Sequence, residues 1–365
     1  MSALREAAAA VGINAPLFGR VPEKIAALGS IGRRLSTGFP TFDAATRGGL
    51  PSKRVVVVGG APGAAKTTTV AQWALEWAKE GVHVAFLAAD EEAEGILVRW
   101  GQACGIALDD LEAGDQSAKD RLSLALPKSL ELIDSEESDD PVTIERVSRE
   151  LSKARGVDEM SVLIVDSIQM AKAAGSEMID SPRERIDAVV RALKAAAKRD
   201  GHLVIVTSEL ARGAYRDAGA AINPLAAFKE SGSIEYGAGT AIVLRTVDDA
   251  PGLVDVTVPK NRIGRSADAK KPFRMALDFT TATLREIDLP VSERNDAEGR
   301  DAALEDQILS VTDKRALYSK SAVYEALVSE GFGARKQLVL SKVSALISEG
   351  RLGQGSDGRI GRPLL

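Results

Sequence analysis

The stretch "GGAPGAAKTTT", residues 59–69, places Gly60, Lys66 and Thr67 at the spacing of a phosphate-cradling loop, G-x-x-x-x-G-K-[ST], with Ala65 where the second glycine belongs. Such a loop aims backbone N–H groups at anionic oxygens from a helix N-terminus, adds a lysine to neutralise them, and offers a hydroxyl to a divalent cation. The candidate contacts are Gly60, Ala61, Pro62, Gly63, Ala64, Ala65, Lys66, Thr67 and Thr68. Position 65 leads into the helix, so alanine is expected to fit there with a near-helical backbone. Two acidic strand ends complete the set. "VLIVDSIQ" ends a strand in Asp166, and "FLAADEEAEG" ends one in Asp90, Glu91 and Glu92. Carboxylates at the ends of buried strands are costly unless compensated. A Mg²⁺ ion held through Thr67 and Asp166, together with Lys66, supplies that compensation. Glu91 is the candidate base for an attacking water.

The elements that must position these groups are legible as alternation. Apolar runs at 55–58, 83–89, 162–166 and 203–208 read as buried strands, and amphipathic helical patterns separate them. This argues for an α/β fold with a mostly parallel sheet and helices on both faces. "LVDVTVPK" alternates as a half-exposed antiparallel strand does. "SPRE" (181–184) is a serine cap with proline at the first helical position, opening a helix that runs to Gly201. Trp73 and Trp77 recur with Val70 and Ala74 at helical spacing and read as core.

Of the 365 residues, 45% are hydrophobic and 27% charged, ordinary values for a chain with a substantial core. The single cysteine, Cys104, excludes a disulfide framework and a cysteine-based zinc module. The net charge of −5 gives no global attraction to nucleic acid, so any DNA contact must come from local basic loops. No stretch is long and apolar enough to span a bilayer, and the start "MSALREAAAAVGI" reads as an amphipathic helix, so a cytoplasmic location is expected. The organisation reads as an arm (1–34), a large domain (35–290), a polar linker (291–302) and a small helical domain (303–365).

Several ordered motifs resemble the RecA-like ATPases of the DnaB and RadA branch: "STGFPTFDAATRGGLP", "VLIVDSIQ", "FKESGSIEYGAGTAIVL" and "VPKNRIG". The resemblance implies an ATPase whose cofactors are ATP and Mg²⁺. Glu91 matches the catalytic glutamate and Asp166 the Walker B aspartate. Glu209 falls where the family usually has a glutamine that senses the γ-phosphate, a departure bearing on that step. Lys260 and Arg262 match residues that reach a neighbouring subunit's ATP site, which implies a ring, a hexamer, because a finger in trans needs a neighbour. The long stretch "ARGAYRDAGAAINPLAAFKE" offers Arg212, Arg216 and Lys229 to single-stranded DNA in a central pore, and Lys172 follows by the same analogy.

Beyond the linker, three helical patterns and a Gly-Arg hairpin resemble a winged helix-turn-helix. Arg335, Lys336, Gln337 and Lys342 lie near the start and exposed side of its third helix; Arg351, Arg359 and Arg362 lie in the wing. Such a domain binds duplex DNA or docks a protein, such as a replication or loading partner. DnaB carries a large N-terminal domain and RadA a zinc element and a Lon-like domain. Their absence here suggests a compact helicase of a plasmid, phage or other mobile element. Two functions remain in view: a DNA-translocating helicase, or an ATP-gated DNA-binding adaptor, with a RadA-like recombination factor as a third.

Overall fold

The computed structural model describes residues 34–136, 140–156, 159–210, 237–247, 250–262, 273–287, 304–314, 317–329, 336–355 and 359–361. The leading segment forms β1 (Arg34–Leu35), α1 (Pro40–Ala45) and β2 (Leu50–Pro51). Asp43 closes it, accepting from the backbone N–H of Thr37 and from the hydroxyls of Thr37 and Ser36. β3 (Val55–Gly60) then feeds the phosphate-type loop and α2 (Lys66–Lys79). Val70, Trp73, Ala74 and Trp77 form the buried face of α2, as their spacing predicts. The two indoles stack with centroids 5.6 Å apart and donate to the Thr37 and Ser36 carbonyls at 2.9 and 2.6 Å.

The chain continues through β4 (His83–Ala88), α3 (Ala93–Ala103), α4 (Leu108–Glu112), α5 (Gln116–Ala125), β5 (Leu130–Asp134), α6 (Ile144–Ala154) and β6 (Ser161–Asp166). α7 (Pro182–Lys198) opens as expected, the Ser181 hydroxyl accepting from Glu184 N–H. It stops at Lys198 with Arg199 as its cap, and Gly201 turns the chain at φ +89°, slightly later than the expected C′ position. β7 (Leu203–Glu209), β8 (Thr240–Thr246), β9 (Leu253–Asn261), β10 (Phe273–Asp278) and β11 (Thr283–Ile287) complete this part.

Among the described residues, nine strands form one sheet in the order β11-β10-β9-β8-β3-β7-β6-β4-β5. From β8 to β5 every neighbouring pair is parallel, whereas β9, β10 and β11 pair antiparallel. The parallel strands are apolar on both faces because both are covered. Val56, Val58, Phe86 and Ile164 pack with α2 and α3, and Val57, Leu87, Leu163 and Val206 pack with α6 and α7. β9 keeps the expected alternation of buried and half-buried residues.

The residues from 304 on make a second compact unit. There a helix over 304–314 (α8) is followed by α9 (Lys320–Ser329), α10 (Lys336–Ser348) and a hairpin of β12 (Gly353–Gln354) with β13 (Ile360–Gly361). Leu317 bridges to Ile360, and Ile308, Val323, Leu327, Val339, Val343 and Leu346 fill the core.

Candidate functional site

In open parallel sheets, ligands bind beyond the carboxyl ends of the strands. The register brings the candidate residues there: Gly60 lies opposite Glu209, and Ala88 lies opposite Asp166. Residues 61–65 form the turn, and Lys66, Thr67 and Thr68 form the first turn of α2. Gly60 has a steric reason to be glycine, since a Cβ there would come within 3.0 Å of both Ala64 Cβ and the Leu244 carbonyl. Gly63 takes φ +77°.

Ala65 departs from the expectation. Its backbone is left-handed, at φ +59° and ψ 27°, not near-helical. The loop must close onto the helix in that conformation whatever residue stands there. An L-residue with a Cβ pays about 1–2 kcal/mol for it.

The Lys66 ammonium donates to the Gly60 and Ala61 carbonyls, each at 3.1 Å, so it crosses the mouth of the turn. Burial lowers its pKa, opposed by the charges of Asp166, Glu209 and Asp90, so all three carboxylates act on one cation. Asp166 is buried, and Thr207 donates to its Oδ1 through a short hydrogen bond. Its Oδ2 is buried without a hydrogen-bond partner. Burial raises the Asp166 pKa, opposed by the Thr207 and Thr67 hydroxyls and by Lys66. An orphaned carboxylate oxygen near a helix-terminal hydroxyl fits a divalent cation.

The backbone N–H groups of Ala89 and Asp90 donate to the Asp166 carbonyl at 2.7 and 3.0 Å, locking the two acidic strand ends together. Ser167 donates to Asp90 Oδ2 at 3.1 Å. Glu91 follows in the loop before α3, and Arg99 donates to its Oε1 at 2.6 Å. Sequence reasoning missed Thr207, Ser167 and Arg99. The spacing of Glu91, Gly95 and Arg99, four residues apart, was the available signal for the last. A cavity of about 340 Å³ opens beside this group, lined by Thr68, Gly95, Val98, Arg99, Gln102, Glu112, Leu277, Phe279 and Ala282. A larger one, about 620 Å³, lies between β5 and α6 and shares no residue with it.

Lys260 and Arg262 are not brought to this site. β9 runs antiparallel to β8, and its end pairs with the start of β8: Asn261 lies opposite Thr240, and Arg262 N–H donates to the Gly239 carbonyl. Gly239 N–H donates in turn to Val55, at the start of β3. Arg262 is thus level with Val55, about 16 Å from Gly60 along the strand direction, and Lys260, opposite Ala241 and so level with Val57, about 10 Å. Asn261 between them is buried and donates to the Ala45 carbonyl at 3.0 Å.

Lys172 is exposed in the loop after β6. Arg212, Arg216 and Lys229 lie outside the described residues. So do Arg335, Arg362 and the side chain of Gln337. In the second unit, Lys336 is exposed over the Tyr324 ring, and Arg359 is exposed at the hairpin. Lys342 was expected on the exposed side of its helix but is turned inward. Its ammonium lies 3.0 Å from Glu305, both side chains 17% exposed, and Arg351 pairs with the same carboxylate. The long stem packs where the helix meets α8, and the charge is spent there.

The family model for the DnaB-like helicase C-terminal domain matches residues 34–280. The chain belongs to this family. Two solved structures share the fold of this DnaB-like domain. One is described as the ATPase domain of G40P, with TM-score 0.59, 17% identity, and coverage of 73% of this chain and 96% of that one. The other is described as a DnaB-like replicative helicase and its interactions with primase, with TM-score 0.59, 17% identity, and coverage of 74% and 68%. A search of curated proteins finds no match. The DnaB-like domain is a RecA-like α/β ATPase of the helicase class. Among the described residues no helix is long and apolar enough to cross a membrane.

Proposed function

We propose that this DnaB-like protein is a ring-forming, ATP-driven translocase that moves along single-stranded DNA as a hexamer. The observation that carries the reading is the separation of its basic residues: Lys66 at one end of the sheet, Lys260 and Arg262 set back from it along the strands. Basic residues set apart along the sheet of one chain can complete a site across a head-to-tail interface between copies.

In this reading the turn N–H groups and Lys66 bind the β- and γ-phosphates of ATP. Thr67 and Asp166 hold Mg²⁺, which supplies charge neutralisation to the phosphate oxygens. Glu91 accepts the proton of the attacking water. Lys260 and Arg262 of the adjacent copy meet the charge that develops on the transferred group. Glu209 pairs with Gly60 across the sheet and its charge acts on Lys66, which supports a role in responding to the terminal phosphate.

The second unit favours a winged helix-turn-helix reading through its order of helices and hairpin, with Lys336 and Arg359 as phosphate contacts and duplex DNA or a loading partner as ligand. The test is ATP hydrolysis with no DNA, with single strands and with duplex, followed by displacement of a strand from a fork. Stimulation by single strands with unwinding supports the translocase. Duplex-specific binding without unwinding supports an ATP-gated adaptor instead.

A further inference from the structure

Glu91 is held through one of its two carboxylate oxygens in the structure described. Arg99 Nη1 donates to Glu91 Oε1 at 2.6 Å and to the Gly95 carbonyl at 2.7 Å. Glycine at 95 leaves room for the pair, since a Cβ there would lie 2.5 Å from Glu91 Oε1 and the carboxylate would have to shift. Glycine inside a helix is unfavourable relative to alanine, so its presence in the first turn of α3 has this contact as its local use. The pair remains partly wet, with side-chain exposures of 26% for Arg99 and 36% for Glu91. The same guanidinium walls the cavity beside Thr68, so a group arriving there competes for it.

We propose that Arg99 is a positioning residue that holds Glu91 away from the attacking water and releases it when the ring engages DNA. This rests on the reading of Glu91 as the general base. A carboxylate anchored through Oε1 is fixed in orientation and must turn before both of its oxygens can face a water. An ion pair that water still reaches is weak, so the restraint is worth about two- to fivefold in rate and is readily undone.

The experiment measures ATP hydrolysis by the full chain, with and without saturating single-stranded DNA, for wild type, Arg99→Gln, Arg99→Lys, Gly95→Ala and Glu91→Gln. Arg99→Gln removes the cation, and Gly95→Ala crowds the carboxylate oxygen that it holds. Both are expected to raise the DNA-free kcat about two- to fivefold. The DNA-stimulated kcat holds, so the stimulation ratio falls, and Arg99→Lys restores it. A DNA-free kcat at or below wild type in both variants, with Glu91→Gln inactive, overturns the restraint alone. Wild-type hydrolysis by Glu91→Gln overturns the base assignment, and the restraint with it.

Discussion

The Thr207 hydroxyl donates to one oxygen of Asp166 and leaves the other buried without a partner. Neutralising that carboxylate separates stability from function. Asp166→Asn should stabilise the protein without nucleotide or magnesium by about 1 kcal/mol or more, because a neutral amide costs less to bury than a carboxylate. Magnesium-dependent hydrolysis should be lost. A lower denaturation midpoint for the variant would show that Lys66 needs the charge more than the interior resents it.

Ala65→Gly should stabilise. Relief of the left-handed alanine recovers about 1–2 kcal/mol. The greater freedom of glycine in the unfolded chain takes back about 0.4–1 kcal/mol. Urea titration should show a net gain of between zero and about 1.6 kcal/mol, with kcat/KM for ATP at or above wild type. A loss would mean that the alanine methyl makes a contact worth more than the strain.

Lys66→Ala and Arg262→Ala should each reduce DNA-stimulated hydrolysis by about 10³ or more. Mixed in equal amounts, the two should partly recover activity, because about one interface in four of a random head-to-tail ring carries both intact residues. An inactive mixture that still sediments as a ring would refute action across subunits.

His202 sets a pH limit far from the site. It is buried, with Nε2 3.0 Å from the Ser148 carbonyl and Nδ1 2.7 Å from the Ser161 hydroxyl. Burial lowers its pKa below the ordinary value, so the folded state holds the neutral ring. The unfolded chain then binds the proton first, and stability falls as pH drops below about 6.5. His202→Gln keeps a donor for Ser148 and should flatten the stability profile between about pH 7 and 5, a slope of at most about 1.4 kcal/mol per unit. An unchanged slope would assign the acid sensitivity elsewhere.

The four central strands were legible because burial on both faces leaves continuous apolar runs. β5 was not, since "LELID" is a half-buried edge strand that mixes acidic with apolar residues. α5 has little apolar face, only Ala118 being buried. The loop residues could be read from their types because phosphate chemistry restricts them. The backbone of Ala65 could not, because alanine is a good helix former and ring closure of the loop, not propensity, decides its handedness. Lys342 misled for a related reason. A lysine on an amphipathic helix reads as solvated until a carboxylate such as Glu305, nearly forty positions earlier, is known to face it.

The stacked indoles of Trp73 and Trp77 each hang from a carbonyl of the segment leading into the domain, while their helix begins at Lys66. A pull on this segment would therefore pass from the β1–β2 pairing to these two indoles and on to the helix that carries the nucleotide-binding turn. In a Trp100→Phe background, intrinsic emission should then report mechanical load without any added dye.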